Sequence, residues 1–219
     1  MTNANVTNKV YLSGEIVSEP VYSHEMFGEA FYETEIAVKR LSQQIDVLPL
    51  TVSERLIAER GIGKGDKISL NGQFRSYNKM ADGKSKLMLT VFAREILDYD
   101  EEANPNSIEL IGFICKPTVY RTTPFSREIC DMLVAVNRAY NKSDYIPCIA
   151  WGRNARFVRY LTVGEQVAVF GRIQSREYQK KISATETVTR TAFEVSVSRI
   201  MVGEKVDELV AARECEIYP

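Results

Sequence analysis

Histidine is nearly absent from this chain: His24 is the one copy in 219 residues. Cysteine is sparse too, at Cys115, Cys130, Cys148 and Cys215, and no two form a C-x-x-C pair. Structural zinc needs clustered thiolate or imidazole ligands, so no metal site is expected. Three of the cysteines stand in apolar, strand-like runs, the setting of buried free thiols. A phosphate-cradling Gly-Lys-Ser/Thr is missing, since residues 63–66 read Gly-Lys-Gly-Asp and lack both the hydroxyl and the spacing. Nothing in the sequence sets a Ser or Cys nucleophile beside His24. Catalysis and a cofactor are therefore not expected. No apolar run reaches the roughly 18 residues of a membrane span. The first nine residues are polar, without the apolar centre of a secretory signal. A soluble, cytoplasmic location is the expectation.

What is present is enough for a packed core, with 45% hydrophobic residues. The net charge of −1 argues against crude electrostatic binding, but the charge is unevenly spread. Residues 1–105 carry 12 basic and 16 acidic side chains. Residues 106–200 carry 14 basic and 8 acidic ones, and a short acidic end follows. Such asymmetry points to unequal roles for the two halves.

The halves are copies of one pattern. Residues 8–17 (Asn-Lys-Val-Tyr-Leu-Ser-Gly-Glu-Ile-Val) resemble residues 106–115 (Asn-Ser-Ile-Glu-Leu-Ile-Gly-Phe-Ile-Cys), at an offset of 98. The same offset takes Val38 to Val136, Arg40 to Arg138 and Pro49 to Pro147. One residue more takes Gly65 to Gly164 and Gly72 to Gly171. Residues 98–106 between the copies are acidic, contain Pro105 and are poor in apolar residues, as a linker would be.

Period-two alternation predicts strands at 10–16, 31–40, 45–52, 67–77 and 86–97 in the first copy. In the second it predicts strands at 107–115, 127–137, 145–151, 166–178 and 190–202. A short helix is expected at 54–60, capped by Ser53 and stopped by Gly61, and another at 153–161. Asp82-Gly83 marks a hairpin tip. Three strands, a helix and two strands in about 95 residues suit a five-stranded Greek-key barrel of the OB type. Gly14 and Gly112 fall mid-strand, where the first strand of such a barrel must bend. The expected fold is all-β, with two tandem OB barrels at 1–100 and 106–203. In the tail, 204–219, residues 206–215 have the pattern for one or two helical turns, too short to be a stable helix alone.

Residues 137–153 concentrate the features that an unpaired nucleic-acid strand requires. They hold the only tryptophan, Trp151, with Tyr140, Tyr145, Arg138, Lys142 and Arg153. Rings stack bases and cations follow phosphates. A Trp ending an apolar strand is more often a core residue than a ligand platform, and that reading stands beside the first. In 166–178, Val167, Val169, Gly171 and Ile173 share one face, which leaves Arg172, Gln174, Arg176 and Tyr178 on the other. That face reads as a binding surface or an ordinary solvated one. The candidate contacts are Arg138, Tyr140, Lys142, Tyr145, Trp151, Arg153, Arg172, Arg176, Tyr178 and Lys180 in a main groove. Arg40, Arg75, Tyr77 and Lys79 would line a weaker groove in the first half.

Several stretches resemble bacterial single-stranded DNA-binding proteins. They are Asn8-Lys-Val-x-Leu-x-Gly, Trp151-Gly-Arg, Gly171-Arg-Ile-Gln-Ser-Arg-x-Tyr178 and Thr191-Ala-Phe-Glu-Val-Ser-Val-Ser-Arg-Ile200. The second half carries nearly the whole pattern. The first keeps the scaffold but has Ser53 where the repeat places Trp151, and Lys79 where it places Tyr178. The resemblance implies binding of unpaired DNA with little sequence preference, protecting it in replication, recombination and repair, at the nucleoid. Because the family presents four OB modules together, it also implies a homodimer. The family's acidic, Phe-tipped end peptide has only a distant echo in residues 216–219, so recruitment of repair partners by that route is in doubt. The rival expectation is a docking scaffold for proteins or RNA, since OB modules bind those as well.

Overall fold

The structure is a computed structural model. It describes residues 7–81, 83–181 and 187–217, without the side chains of residues 81, 84, 180, 181 and 214–217. The first half runs β1 (Asn8–Ile16), β2 (Val21–Met26), β3 (Glu29–Lys39), β4 (Ile45–Ser53), α1 (Glu54–Arg60), β5 (Lys67–Ala81) and β6 (Lys84–Leu97). The second runs β7 (Asn106–Ile114), β8 (Val119–Thr122), β9 (Glu128–Arg138), β10 (Lys142–Trp151), α2 (Arg153–Val158), β11 (Gln166–Lys181) and β12 (Thr187–Val202). A terminal helix, α3 (Glu204–Ile217), follows. No helix among the described residues is long and apolar enough to cross a membrane.

Each half closes as an OB barrel. The sheet order is β2-β3-β4-β6-β5-β1-β7-β11-β12-β10-β9-β8, and β1 also pairs with β3 and β7 with β9. β4 and β6 are parallel, as are β10 and β12; the other pairings are antiparallel. Alternation along β11 sends Val167, Val169 and Ile173 inward, where they are fully buried. Closure depends on Gly14 and Gly112. A Cβ on either would collide with a backbone carbonyl oxygen, Ala37 in one barrel and Ala135 in the other. These two carbonyls are themselves one repeat apart, so the bend recurs at the same place. The helix expected at 54–60 forms with the expected caps: the Ser53 hydroxyl accepts from the Leu56 amide at 3.5 Å, and Gly61 ends the helix in the left-handed region.

Several expectations need correction. Each barrel closes with the five strands expected, but each half adds a sixth strand, β2 or β8, as a short arm on β3 or β9. Residues 21–26 are exposed on both faces, so no apolar alternation announces them. β5, β11 and β12 are longer than the apolar pattern implied, because polar hairpin arms continue the ladders beyond the core. The second helix ends at Val158 rather than Leu161. The Asp82 position of the expected turn lies outside the described residues. The tail forms a 14-residue helix. It is held by tertiary packing: Val206 is buried against Ile111 and Ala168, and Arg213 pairs with Glu109. The acidic joint is also a fixed strap. The Ser13 amide donates to the Pro105 carbonyl at 2.9 Å, and the Asp100 amide donates to the Ser69 hydroxyl at 3.1 Å.

The halves are joined first by a β1–β7 ladder, Asn8↔Leu110 through Leu12↔Asn106. They are joined again by two reciprocal clamps. Asp46, at the start of β4, accepts from the Ser175 amide at 2.7 Å and from its hydroxyl at 3.1 Å, while Arg40 donates to both carboxylate oxygens. Asp144 accepts from the Ser76 amide at 2.7 Å and from Arg138 at 3.2 Å, and the Ser76 hydroxyl accepts from the Tyr145 amide at 2.7 Å. Both carboxylates are 0% exposed. Each aspartate thus belongs to one half and caps the fourth barrel strand of the other.

Breaking a buried ion pair by deleting one partner costs about 3–5 kcal/mol. Asp46→Ala and Asp144→Ala are each expected to lower stability by about 3 kcal/mol. The Asn replacements keep an acceptor for the serine amide and are expected to cost less. Urea unfolding midpoints check both.

Candidate nucleic-acid interface

Because the clamps cross between halves, each barrel groove is lined from both sides. A groove of about 950 Å³ lies over β11 and β12. It is lined by Trp151, Arg127, Arg172, Arg176 and Phe193 of the second half, and by Arg40, Gln44 and Ile45 of the first. A second groove of about 720 Å³ lies over β5 and β6. Its lining includes His24, Phe31, Arg75, Tyr77, Phe92 and Arg94, with Arg138 from the second half. A third, of about 530 Å³, sits between them and holds Tyr77, Tyr178, Pro147 and Phe193. Tyr77 is shared with the first-half groove and Phe193 with the Trp151 groove, so the three form one track across the molecule.

The cations in this track are unevenly compensated. Arg176 pairs with Glu194 at 3.3 Å and lies 6.0 Å from the centre of the Tyr178 ring. Gln174, expected on the open face, is buried and donates to Glu194 at 2.9 Å. Arg172 is different. Its Nε is buried with no hydrogen-bond partner, and its pKa is lowered by burial and by the charge of Arg40. In the other groove, burial and the charge of Arg138 push Arg75 down to about 10. Each groove thus contains an arginine doublet, one member from each half: Arg40 or Arg138, paired with its buried aspartate, and Arg172 or Arg75, which is chiefly desolvated. An anion brought to the desolvated member offsets that loss of solvation.

The sequence-predicted residues divide accordingly. Trp151 is 37% exposed at the groove rather than in the core. Arg172 and Arg176 share its groove, and Tyr178 lies in the central one. Arg40 and Arg138 exchange places relative to expectation: each lines the groove of the opposite half, because the β3–β4 and β9–β10 ridges cross the junction. Arg153 does not join the track. Gly152 turns the chain with φ 52°, and Arg153 faces Arg199 and Lys205 on another surface. Tyr140 and Lys142 stand exposed at the β9–β10 tip, Tyr145 is half-exposed on β10, and Lys79 is exposed on the β5 arm. None of these four lines the three grooves. The side chain of Lys180 lies outside the described residues.

Sequence reasoning missed Phe31, Phe92, Arg94, Arg127 and Phe193. Ser53 does replace the tryptophan in the first half, but the ring moves rather than disappears. Phe92 on β6 pairs opposite Gln73, as Ser196 pairs opposite Arg172 in the second half. Phe92 packs on Phe31 at 5.5 Å, Arg75 covers it at 5.3 Å, and His24 stacks on Phe31 at 5.2 Å. The signal was available: Leu89, Val91 and Ala93 point inward, which puts Thr90, Phe92 and Arg94 on the groove face.

Residues 105–201 match the model of the single-strand binding protein family. The chain is 32% identical over 117 residues to single-stranded DNA-binding protein 1 of Clostridium acetobutylicum, covering 50% of this chain and 97% of that one. The chain belongs to the single-strand binding protein family. It is also 34% identical over 94 residues to single-stranded DNA-binding protein 1 of Staphylococcus aureus, covering 38% of this chain and 56% of the relative. It therefore spans little more than half the length of the first such relatives. The crystal structure of wild-type single-stranded DNA binding protein from Thermus aquaticus matches with a TM-score of 0.67 at 21% identity, covering 90% of this chain and 92% of that one. That likeness shows the fold of both halves. The family match falls on the half with Trp151.

A partly desolvated cation such as Arg172 costs the free protein stability and favours an anionic ligand. Arg172→Met, which keeps the aliphatic stem, is expected to leave the urea midpoint unchanged or raise it. The same change should weaken oligonucleotide binding and reduce its salt slope by about 0.7, one phosphate's worth. A lowered midpoint with an unchanged slope would contradict the assignment.

Proposed function

We propose that the chain binds single-stranded DNA with little sequence preference and protects it, without catalysing a reaction. The observation that carries this reading is the continuous track, in which rings alternate with cation doublets from Arg94 and Arg75, past Tyr77 and Tyr178, to Arg172 and Trp151. Stacked rings recognise any base, because every base has a π face, and the arginines meet the phosphates between them. Family membership supports the same ligand. In this reading Trp151, Arg172, Arg176, Tyr178 and Arg40 form the stronger part of the interface. Arg75, Tyr77 and Arg138 form the weaker part, with Tyr140, Lys142, Tyr145, Lys79 and Lys180 as flanking contacts.

Residues 1–100 and 106–203 act as two unequal binding modules of one track. Two modules per chain, in a family that presents four, extend the proposal to a homodimer. Light scattering should then return twice the 24.8 kDa chain mass. Roles in replication, recombination and repair, at the nucleoid, follow from the ligand.

The test is titration of Trp151 fluorescence with thymidine oligomers at several salt concentrations. Saturable quenching is expected, with a logarithmic salt slope of roughly 0.7 per neutralised phosphate. Trp151→Ala combined with Tyr178→Ala, read by anisotropy of a labelled oligomer, should lose about 1–3 kcal/mol per ring. Undiminished affinity in the folded double variant would reject the interface. Equal affinity for uridine oligomers would widen the ligand to RNA.

A further inference from the structure

The β2–β3 and β8–β9 hairpins each end in a phenylalanine. Phe27 is 98% exposed and Phe125 is 87% exposed. The two are 98 residues apart, so they occupy the same position of the internal repeat. Other positions in the repeat have diverged: Ser53 stands for Trp151 and Lys79 for Tyr178. Singly exposed apolar residues are ordinary, but the same large ring at both tips is not explained by packing, because neither ring is packed.

The turns that carry the rings differ. Met26 pairs with Glu29, leaving a two-residue loop of Phe27 and Gly28 with φ 54° and 80°. That is type I′ geometry, which favours Asn or Gly at the first position and penalises a bulky side chain. In the second half, the Ser126 amide donates to the Thr123 carbonyl at 2.9 Å, closing a turn with Pro124 ahead of Phe125. The Arg127 amide also donates to the Thr123 hydroxyl at 3.1 Å. Phe125 thus needs no positive φ, whereas Phe27 keeps its ring despite one. Two unrelated turn chemistries present one ring at one place, and a strained backbone retained around an exposed group points to function.

Both tips adjoin the track. Arg127, two residues from Phe125, lines the groove of Trp151. Met26 and Glu29, flanking the Phe27 turn, line the groove of Phe92. Ile129 pairs with Trp151, so Phe125 stands four residues further out, roughly 13 Å along the arm. The geometry points to Phe27 and Phe125 as outer base-stacking residues, which engage an unpaired strand as it leaves each barrel groove and lengthen the bound segment at both ends. This inference rests on the proposed ligand and adds two contacts outside its candidate set.

The test uses the full chain with a length series of thymidine oligomers, comparing wild type, Phe27→Ala, Phe125→Ala, their combination, and Trp151→Ala, all read by anisotropy. Each phenylalanine change should lower affinity for long oligomers by roughly five-fold to hundred-fold. The shortest oligomers should be affected little, and the salt slope should stay constant, because no phosphate contact is lost. The combined variant should reach maximal affinity at a shorter length than wild type. Phe27→Asn serves as the structural control: it suits the turn, so its unfolding midpoint should match or exceed wild type while its affinity falls. Full affinity at every length in the combined variant, with weakened binding by Trp151→Ala, would overturn this inference and leave the ligand standing. No binding by wild type would overturn both.

Discussion

The structure depends on two buried carboxylates. Asp46 and Asp144 sit at the starts of β4 and β10, and each reaches across to the barrel strand of the other half. A buried carboxylate is tolerated only when its charge is matched and its lone pairs are used. Here an arginine from the same ridge supplies the charge and a serine amide from the other half supplies a donor; in Asp144 both bonds go to Oδ1, and Oδ2 has no hydrogen-bond partner among the described residues. The consequence is geometric. Bringing Asp46 to Ser175 carries Arg40 over the second groove, and bringing Asp144 to Ser76 carries Arg138 over the first. Neither groove is complete without the opposite half, so the halves share one interface even though their own cores are closed barrels.

The first half has Ser53 at the repeat position of Trp151 and draws its groove rings from its own strands. The ring-bearing duty passes from β4 to β6, where Phe92 lies under Arg75 and against Phe31. The face of Phe92 is partly used by its neighbours, whereas Trp151 at the end of β10 is 37% exposed and lines its groove. Acidic residues Glu29 and Glu33 line the first groove, and the Tyr77 hydroxyl donates to Glu33 at 3.5 Å. Glu35 and Glu177 line the groove of Trp151 as well, so acidic side chains stand in both. The two halves therefore present the same architecture with different rings.

Much of the fold was legible before any coordinates. The 98-residue offset, the period-two strands and the mid-strand Gly14 and Gly112 together specify twin barrels, because each reflects a local or repeated constraint. The β2 and β8 arms were not legible, since a ribbon exposed on both faces has no apolar period. The terminal helix was not legible either: its stability comes from the surface formed by Ile111 and Ala168, which only the folded sheet assembles. Among the candidate contacts, Trp151, Arg172, Arg176 and Tyr178 line grooves on the face that alternation along their strands assigned them. Arg153 lies on another surface, just after the Gly152 turn that follows β10.

The sequence by itself determined the repeat, the barrel-forming alternation, and the inventory of rings and cations in each copy, since all of these are written in neighbouring residues. Only the tertiary structure decided which copy's cations serve which groove. Arg40 is assigned by contacts 129 and 135 positions apart and Arg138 by contacts 68 and 69 positions apart, through aspartates that look like ordinary surface charges until they are seen buried across the junction.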